Sequence, residues 1–207
     1  DVPPDSPAQE SLAQVESASN RAAELCKQML AFSGRGQFLV QKLDLGAVVR
    51  ESLDLLQVSI SKKAALRLDL ADELPPVDAD AVQIRQVIVN LVMNASEAIG
   101  DNSGTITVST GTMWATPTFL AATVLSPDLA EGDYVFLEVT DTGCGMTPDM
   151  IDKIFDPFFT TKFAGRGLGL AATLGIVRGH KGALWVTSEL GNGSTFRLLF
   201  PAATGEA

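Results

Sequence analysis

Histidine and tyrosine occur once each in the 207 residues, and cysteine and tryptophan twice each. Two thiols and one imidazole are too few for a disulfide framework or a four-ligand zinc site. Cations are scarce as well: 15 Lys and Arg stand against 25 Asp and Glu, a formal charge of −10, and no Lys/Arg block interrupts the excess. Such a body repels a phosphate backbone, so no nucleic-acid partner is expected. Long apolar runs are also missing. The longest, residues 168–177, falls far short of the roughly 18 residues of a membrane span, and no charged start followed by an apolar stretch marks a signal peptide. No membrane contact by this chain is expected. The first residue is Asp rather than Met; we expect a fragment of a longer protein, itself cytoplasmic even if the parent is membrane-anchored.

What is present is core-forming material. At 46% hydrophobic and 19% charged residues, the chain is no disordered acidic tail. Residues 1–8, with three prolines, read as a disordered lead-in. From residue 9 to about 32 a helix is expected, because Val15, Ala18, Ala22, Leu25, Met29 and Phe32 step by three and four. That seam fits an amphipathic helix lying on its own domain, or a hairpin or dimer element ending at residue 36. Cys26 beside it reads as a small core residue. From 37 to 203 the pattern is α/β, with 204–207 as a tail. Strands are expected at 38–43, 66–70, 104–110 and 134–139, and helices at 45–61, 80–99 and 168–178. A hairpin of 183–188 and 194–200 is expected around Gly191-Asn192-Gly193. Residues 111–132 read as a connection between strands.

Helix 80–99 carries the first chemical signal. Ile84, Val87, Ile88, Leu91, Ala95, Ala98 and Ile99 form one stripe at 100° per residue; Gln83, Gln86, Asn90, Asn94 and Glu97 form a second, polar one. Two Asn one turn apart in mid-helix compete for backbone groups. They are either part of a solvated face or bound to a ligand, and an amide oxygen suits a hard cation such as Mg²⁺. Next comes Asp141-Thr142-Gly143-Cys144-Gly145-Met146, directly after strand 134–139. A carboxylate there stands over a pocket, and spaced glycines let backbone approach a flat ligand. Phe155-Asp156-Pro157-Phe158-Phe159 then suggests a hydrophobic hinge under a lid. Finally Gly165-Arg166-Gly167-Leu168-Gly169-Leu170-Ala171 opens a helix, where free N–H groups and the dipole favour phosphate. It matches neither the dinucleotide fingerprint nor the P-loop.

In this order the motifs resemble the boxes of the ATP-binding domain of sensor histidine kinases, within the group that includes DNA gyrase B, mismatch-repair and heat-shock chaperone ATPases. QVIVNLVMNASEA (86–98) resembles the Asn box and DTGCGM (141–146) the first Gly box. FDPFFTTK (155–162), GRGLGLA (165–171) and GNGST (191–195) resemble the Phe box and the two later Gly boxes. Residues 17–33 are similar to the second helix of the dimerisation hairpin, particularly in the nitrogen-regulation-like and hybrid branch, and the short lid from 159 to 165 suits the nitrogen-regulation-like branch.

The resemblance implies a two-layer α/β sandwich, a mixed sheet with helices on one face, binding Mg²⁺ and ATP. Asp141 would accept from the adenine amine, which selects ATP over GTP. Gly143 and Gly145 would keep the adenine pocket open, with Met146 on the base and Thr195 along the adenine side. Asn94 would be the catalytic Mg²⁺ ligand, with Asn90 nearby. Gly165, Gly167 and Gly169 would hold phosphates through backbone N–H groups, flanked by Leu168, Leu170 and Thr161, while Lys162 and Arg166 would neutralise charge from the lid. The γ-phosphoryl would pass to a His outside this chain and then to a response-regulator receiver domain, in a parent that dimerises through its hairpin. His180, beyond the phosphate helix, is expected to be structural and Cys144 a spacer. Two alternatives from other classes are a non-catalytic nucleotide-binding regulatory module and an ATP-hydrolysing relative.

Overall fold

The computed structural model describes residues 8–9, 11–12, 14–16, 19, 39–125, 129–161 and 167–203. The described residues among 8–19 are helical, and Leu12 and Val15 are exposed there. Ala18, Ala22, Leu25, Met29 and Phe32 of the seam lie outside the described residues, as do Cys26, Lys162, Gly165 and Arg166.

Strand β1 (Gln41–Leu43) leads through Asp44 into helix α1 (Leu45–Leu56). The Asp44 carboxylate accepts the Ala47 N–H at 3.0 Å, satisfying one of the amides that a helix start leaves without an intrahelical partner. The helix ends short of the expected residue 61, because the chain turns there and the Ser61 N–H reaches Ser96 Oγ at 3.0 Å. Strand β2 (Ala64–Leu70) follows, then β3 (Val77–Ala79), which pairs antiparallel with β1. The sequence pattern gives no sign of β3, since three residues carry no usable period. Helix α2 (Ala81–Ile99) starts at the expected cap: Asp80 Oδ1 accepts from Val82 N–H at 2.9 Å and Oδ2 from Leu39 N–H at 2.9 Å. It stops at Gly100, whose φ of +60° glycine adopts without penalty.

Strand β4 (Gly104–Ala115) runs well past the expected 110, through residues read as a connection. Its partner β5 (Gly132–Asp141) pairs with it along its whole length, and ten paired positions outweigh a weak local preference. Helix α3 (Pro117–Ala121) and the single turn α4 (Pro148–Ile151) are additional short pieces. Helix α5 (Gly169–Gly179) and the hairpin β6 (Ala183–Glu189)–β7 (Gly193–Pro201) lie where expected.

The sheet order is β2-β4-β5-β7-β6, with β2 parallel to β4 and every other pair antiparallel. The inner face carries Ile106, Val108, Val135, Leu137, Val139, Phe196, Leu198 and Phe200, buried in one core with residues of α1, α2 and α5. This is the expected mixed sheet with its helix layer on one face. The short α3 is an exception. It lies against the outer face, where Ala115, Leu120, Tyr134, Ala183 and Leu199 form a small second cluster.

Candidate nucleotide-binding site

Helix α2 buries the stripe read from its sequence: Ile84, Val87, Ile88, Leu91, Ala95 and Ile99, joined by Val92, while Ala98 is half-buried. The polar stripe turns toward α5, which runs antiparallel to α2. At one end the Asp80 N–H donates to His180 Nε2 at 2.9 Å. At the other, Asn90 Nδ2 donates to the Gly169 carbonyl at 3.1 Å. The buried His180 also faces the Ile176 carbonyl with Nδ1 at 2.8 Å. A nitrogen that accepts an N–H and another that meets a carbonyl define the neutral ring with its proton on Nδ1. His180 therefore bolts the cap of α2 to the end of α5, and its role is structural.

Asn90 thus touches the first residue of α5, and Asn94, half-buried, lies one turn further along the same face. At that start the first intrahelical bond is Ala172 N–H to Leu168 O at 2.9 Å. The amides of Gly169, Leu170 and Ala171 precede it and have no intrahelical acceptor. The Leu168 side chain is buried and Leu170 packs against the core, so both can offer a ligand only their backbone. Thr161 is exposed at the edge of the segment 162–166.

The Phe box and the second Gly box are locked together just upstream. Phe158 N–H donates to the Gly167 carbonyl at 2.8 Å. A Cβ on Gly167, whose φ is +65°, would sit 2.4 Å from the Phe158 carbonyl carbon. Phe155 is buried and Phe159 packs on the core, but Phe158 is 59% exposed and itself has a positive φ of 71°. The triplet of Phe is therefore part core and part surface.

Asp141 ends β5 on the inner face and is buried. Its Oδ1 accepts the Gly143 N–H at 2.7 Å, curling the loop back over the carboxylate. Beyond it the loop is clamped on both sides. Cys144 N–H donates to Ala98 O at 3.0 Å, and Gly191 N–H donates to Cys144 O at 2.7 Å. A Cβ on Gly143 would lie 2.6 Å from the Ala98 carbonyl carbon, and one on Gly145 would lie 1.9 Å from the Glu189 carbonyl oxygen. Here the glycines permit close backbone packing on α2 and on the terminal hairpin. Met146 is half-buried, with its side chain on the core and its N–H donating to Ser188 Oγ at 2.8 Å.

One residue lies away from its expected position. Thr195 pairs across the sheet with Thr140, their hydroxyl oxygens 3.0 Å apart. Both alternate with inner-face residues and so occupy the outer face, opposite the helix layer. The inner-face position opposite Asp141 belongs to Ser194, whose Oγ lies 2.9 Å from Ser188 Oγ. Sequence reasoning missed Ser188 and Ser194, although the alternation Ser194, Phe196, Leu198, Phe200 already marks which side Thr195 must take.

Residues 79–204, more than half of the chain, match the family described as Histidine kinase-, DNA gyrase B-, and HSP90-like ATPase. The chain belongs to this family. Among curated relatives of the ATPase domain, Sensor kinase CckA of Brucella abortus is 41% identical over 189 residues, covering 90% of this chain and 20% of CckA. Sensor histidine kinase ZraS of Escherichia coli is 35% identical over 192 residues, covering 92% of this chain and 37% of ZraS. The chain thus spans only about a fifth to two fifths of these relatives. The solved catalytic domain of histidine kinase ThkA is 30% identical with a TM-score of 0.62, covering 81% of this chain and 97% of that domain. No helix among the described residues is long and apolar enough to cross a membrane.

Proposed function

We propose that this ATPase domain is the catalytic unit of a sensor histidine kinase in a two-component phosphorelay. Its task is to bind Mg²⁺ and ATP and present the γ-phosphoryl group to a His on another segment of the parent, which then passes it to a response-regulator receiver domain. One observation carries the reading: Asn90 on α2 is hydrogen-bonded to the opening residue of α5, so the amide-bearing face of one helix and the N-terminal amides of another meet at one place. Phosphate fits there, because the dipole and the N–H groups without intrahelical acceptors favour an anion.

The residues also fit the metal. Amide oxygens suit a hard cation that keeps several waters and shares phosphate oxygens, and among the described residues no cluster of His, Cys, Asp and Glu offers an all-protein cage instead. Asn94 is its proposed ligand, and Mg²⁺ when bound would neutralise phosphate charge. Asp141 accepts the adenine amine; guanine presents a carbonyl at that place and is refused. Gly167, Gly169 and their neighbours contribute backbone amides, with Gly165, Lys162 and Arg166 acting from the lid. Catalysis is then positioning and charge stabilisation, with no covalent intermediate on this domain. Residues 9–36 are assigned to the second helix of the dimerisation hairpin, and the domain to the cytoplasm.

The test mixes this chain, labelled ATP and a separate hairpin bearing an acceptor His. Label on the hairpin and none on this chain alone is expected. ATP binding without transfer or hydrolysis would leave a regulatory nucleotide module instead.

A further inference from the structure

Strand β2 is one border of the sheet: it pairs with β4 on one side, and no other described strand pairs with it on the other. A strand border is a row of N–H and C=O groups that can take up a further strand. Its seven residues, Ala-Ala-Leu-Arg-Leu-Asp-Leu, divide cleanly between the two faces. Leu66 and Leu68 stand beside Ile106 and Val108 of the inner face, so Leu66, Leu68 and Leu70 share that face and Ala65, Arg67 and Asp69 the outer one. Arg67 and Asp69 are exposed, and Leu68 is 49% exposed although it belongs to the apolar row.

We infer that this border pairs with the same border of a second copy of the chain, antiparallel about a two-fold axis at Leu68, joining two sheets into one. The sequence of the strand selects that register. Directly opposed residues must share a face, so the axis passes through a residue. With the axis at Leu68, Arg67 faces the partner copy's Asp69, and the two-fold repeats that pair. Leu66 faces Leu70, and Leu68 meets its own copy. With the axis one residue earlier, Arg67 would face itself; one residue later, Asp69 would. Like charges directly opposed are destabilising, and opposite charges stabilising. An exposed Leu on the apolar face is covered in the favoured register alone of the three without a charge clash. A self-complementary patch of this kind closes into a dimer and leaves no sticky end. A second copy therefore satisfies the backbone, the leucines and the charges of the border together.

Sedimentation equilibrium of the full chain at physiological ionic strength tests this. A reversible dimer is expected, weak because one strand pair buries less than about 1,000 Å². R67D and D69R each turn two attractive pairs into two repulsive ones, and each should weaken dimerisation about tenfold or more. The double variant R67D/D69R should restore it. Thermal unfolding of each variant separates a lost interface from a lost fold, since both side chains project to solvent. In a C26S/C144S background, L68C should oxidise to a covalent dimer across the axis. A chain that stays monomeric up to about 1 mM, leaving the border for a strand of another protein, overturns the inference. So does a dimer that R67D and D69R leave unweakened, or one that the charge exchange fails to restore. Neither outcome touches the nucleotide reading, which concerns the other end of the helix layer and is measured by ATP binding.

Discussion

A single buried carboxylate is proposed to do two jobs in this site. Asp141 Oδ1 holds the Gly143 N–H, so replacing it with Ala would loosen the loop as well as remove the proposed acceptor for adenine. Asp141→Asn keeps an oxygen for Gly143 and sets an NH₂ where a base acceptor was needed. Calorimetry should show ATP affinity lowered by about 100-fold, roughly 2.7 kcal/mol, with the unfolding temperature nearly unchanged. Gly145 is sensitive for a different reason: a Cβ there meets the Glu189 carbonyl and the φ of +63° is strained for any other residue. Gly145→Ala should cost about 2 kcal/mol or more by chemical denaturation. Tyr134 allows a direct readout because it is the one tyrosine of the chain. Burial pushes its phenol above the ordinary 10.0, and its O–H donates to Ala130 O at 2.8 Å. The phenolate absorbance should therefore appear later than in the unfolded chain. The sign follows: the unfolded state gives up this proton first, so stability falls as pH rises above 10.0 toward the folded midpoint.

Helix α2 is the element on which the rest is aligned. Its cap, Asp80, satisfies two amides of the helix start and the Leu39 N–H, while its own N–H goes to His180. Asp80→Ala should cost about 1–2 kcal/mol of stability, measured by denaturant unfolding, with ATP affinity falling less than for Asp141→Asn. Much of this element was legible beforehand. Its start, its end and nearly all its buried positions follow from a 3.6-residue period and a capping Asp. β4 was not legible beyond residue 110, because Gly111 interrupts the strand pattern there. The Phe136 ring fills the space over Gly111, where a Cβ would lie 2.7 Å from the ring. β5 supplies the reason for the extension, and β5 is distant in sequence.

At the scale of the molecule, the ligand should stabilise the fold by mass action. ATP with Mg²⁺ at about 100 times its dissociation constant adds roughly 2.7 kcal/mol, a rise of a few degrees in the unfolding midpoint. GTP at the same concentration should leave the midpoint unchanged; an equal rise would remove the role of Asp141 in base selection. The charge of −10 per chain opposes both an anionic nucleotide and a second copy, so dimerisation at low salt should be weaker than at physiological ionic strength, where screening reaches within about 8 Å. Taken by itself, the amino-acid order determined the longer helices α1, α2 and α5, the turn residues and the succession of glycine- and asparagine-bearing segments, since each is written within a few neighbouring residues. Two things were left to the tertiary structure: the antiparallel bolt from Asp80 to His180, and the glycines as contacts for α2 and the last hairpin. Those depend on segments brought together from as far as a hundred residues apart, and such distances leave no periodic trace along the chain.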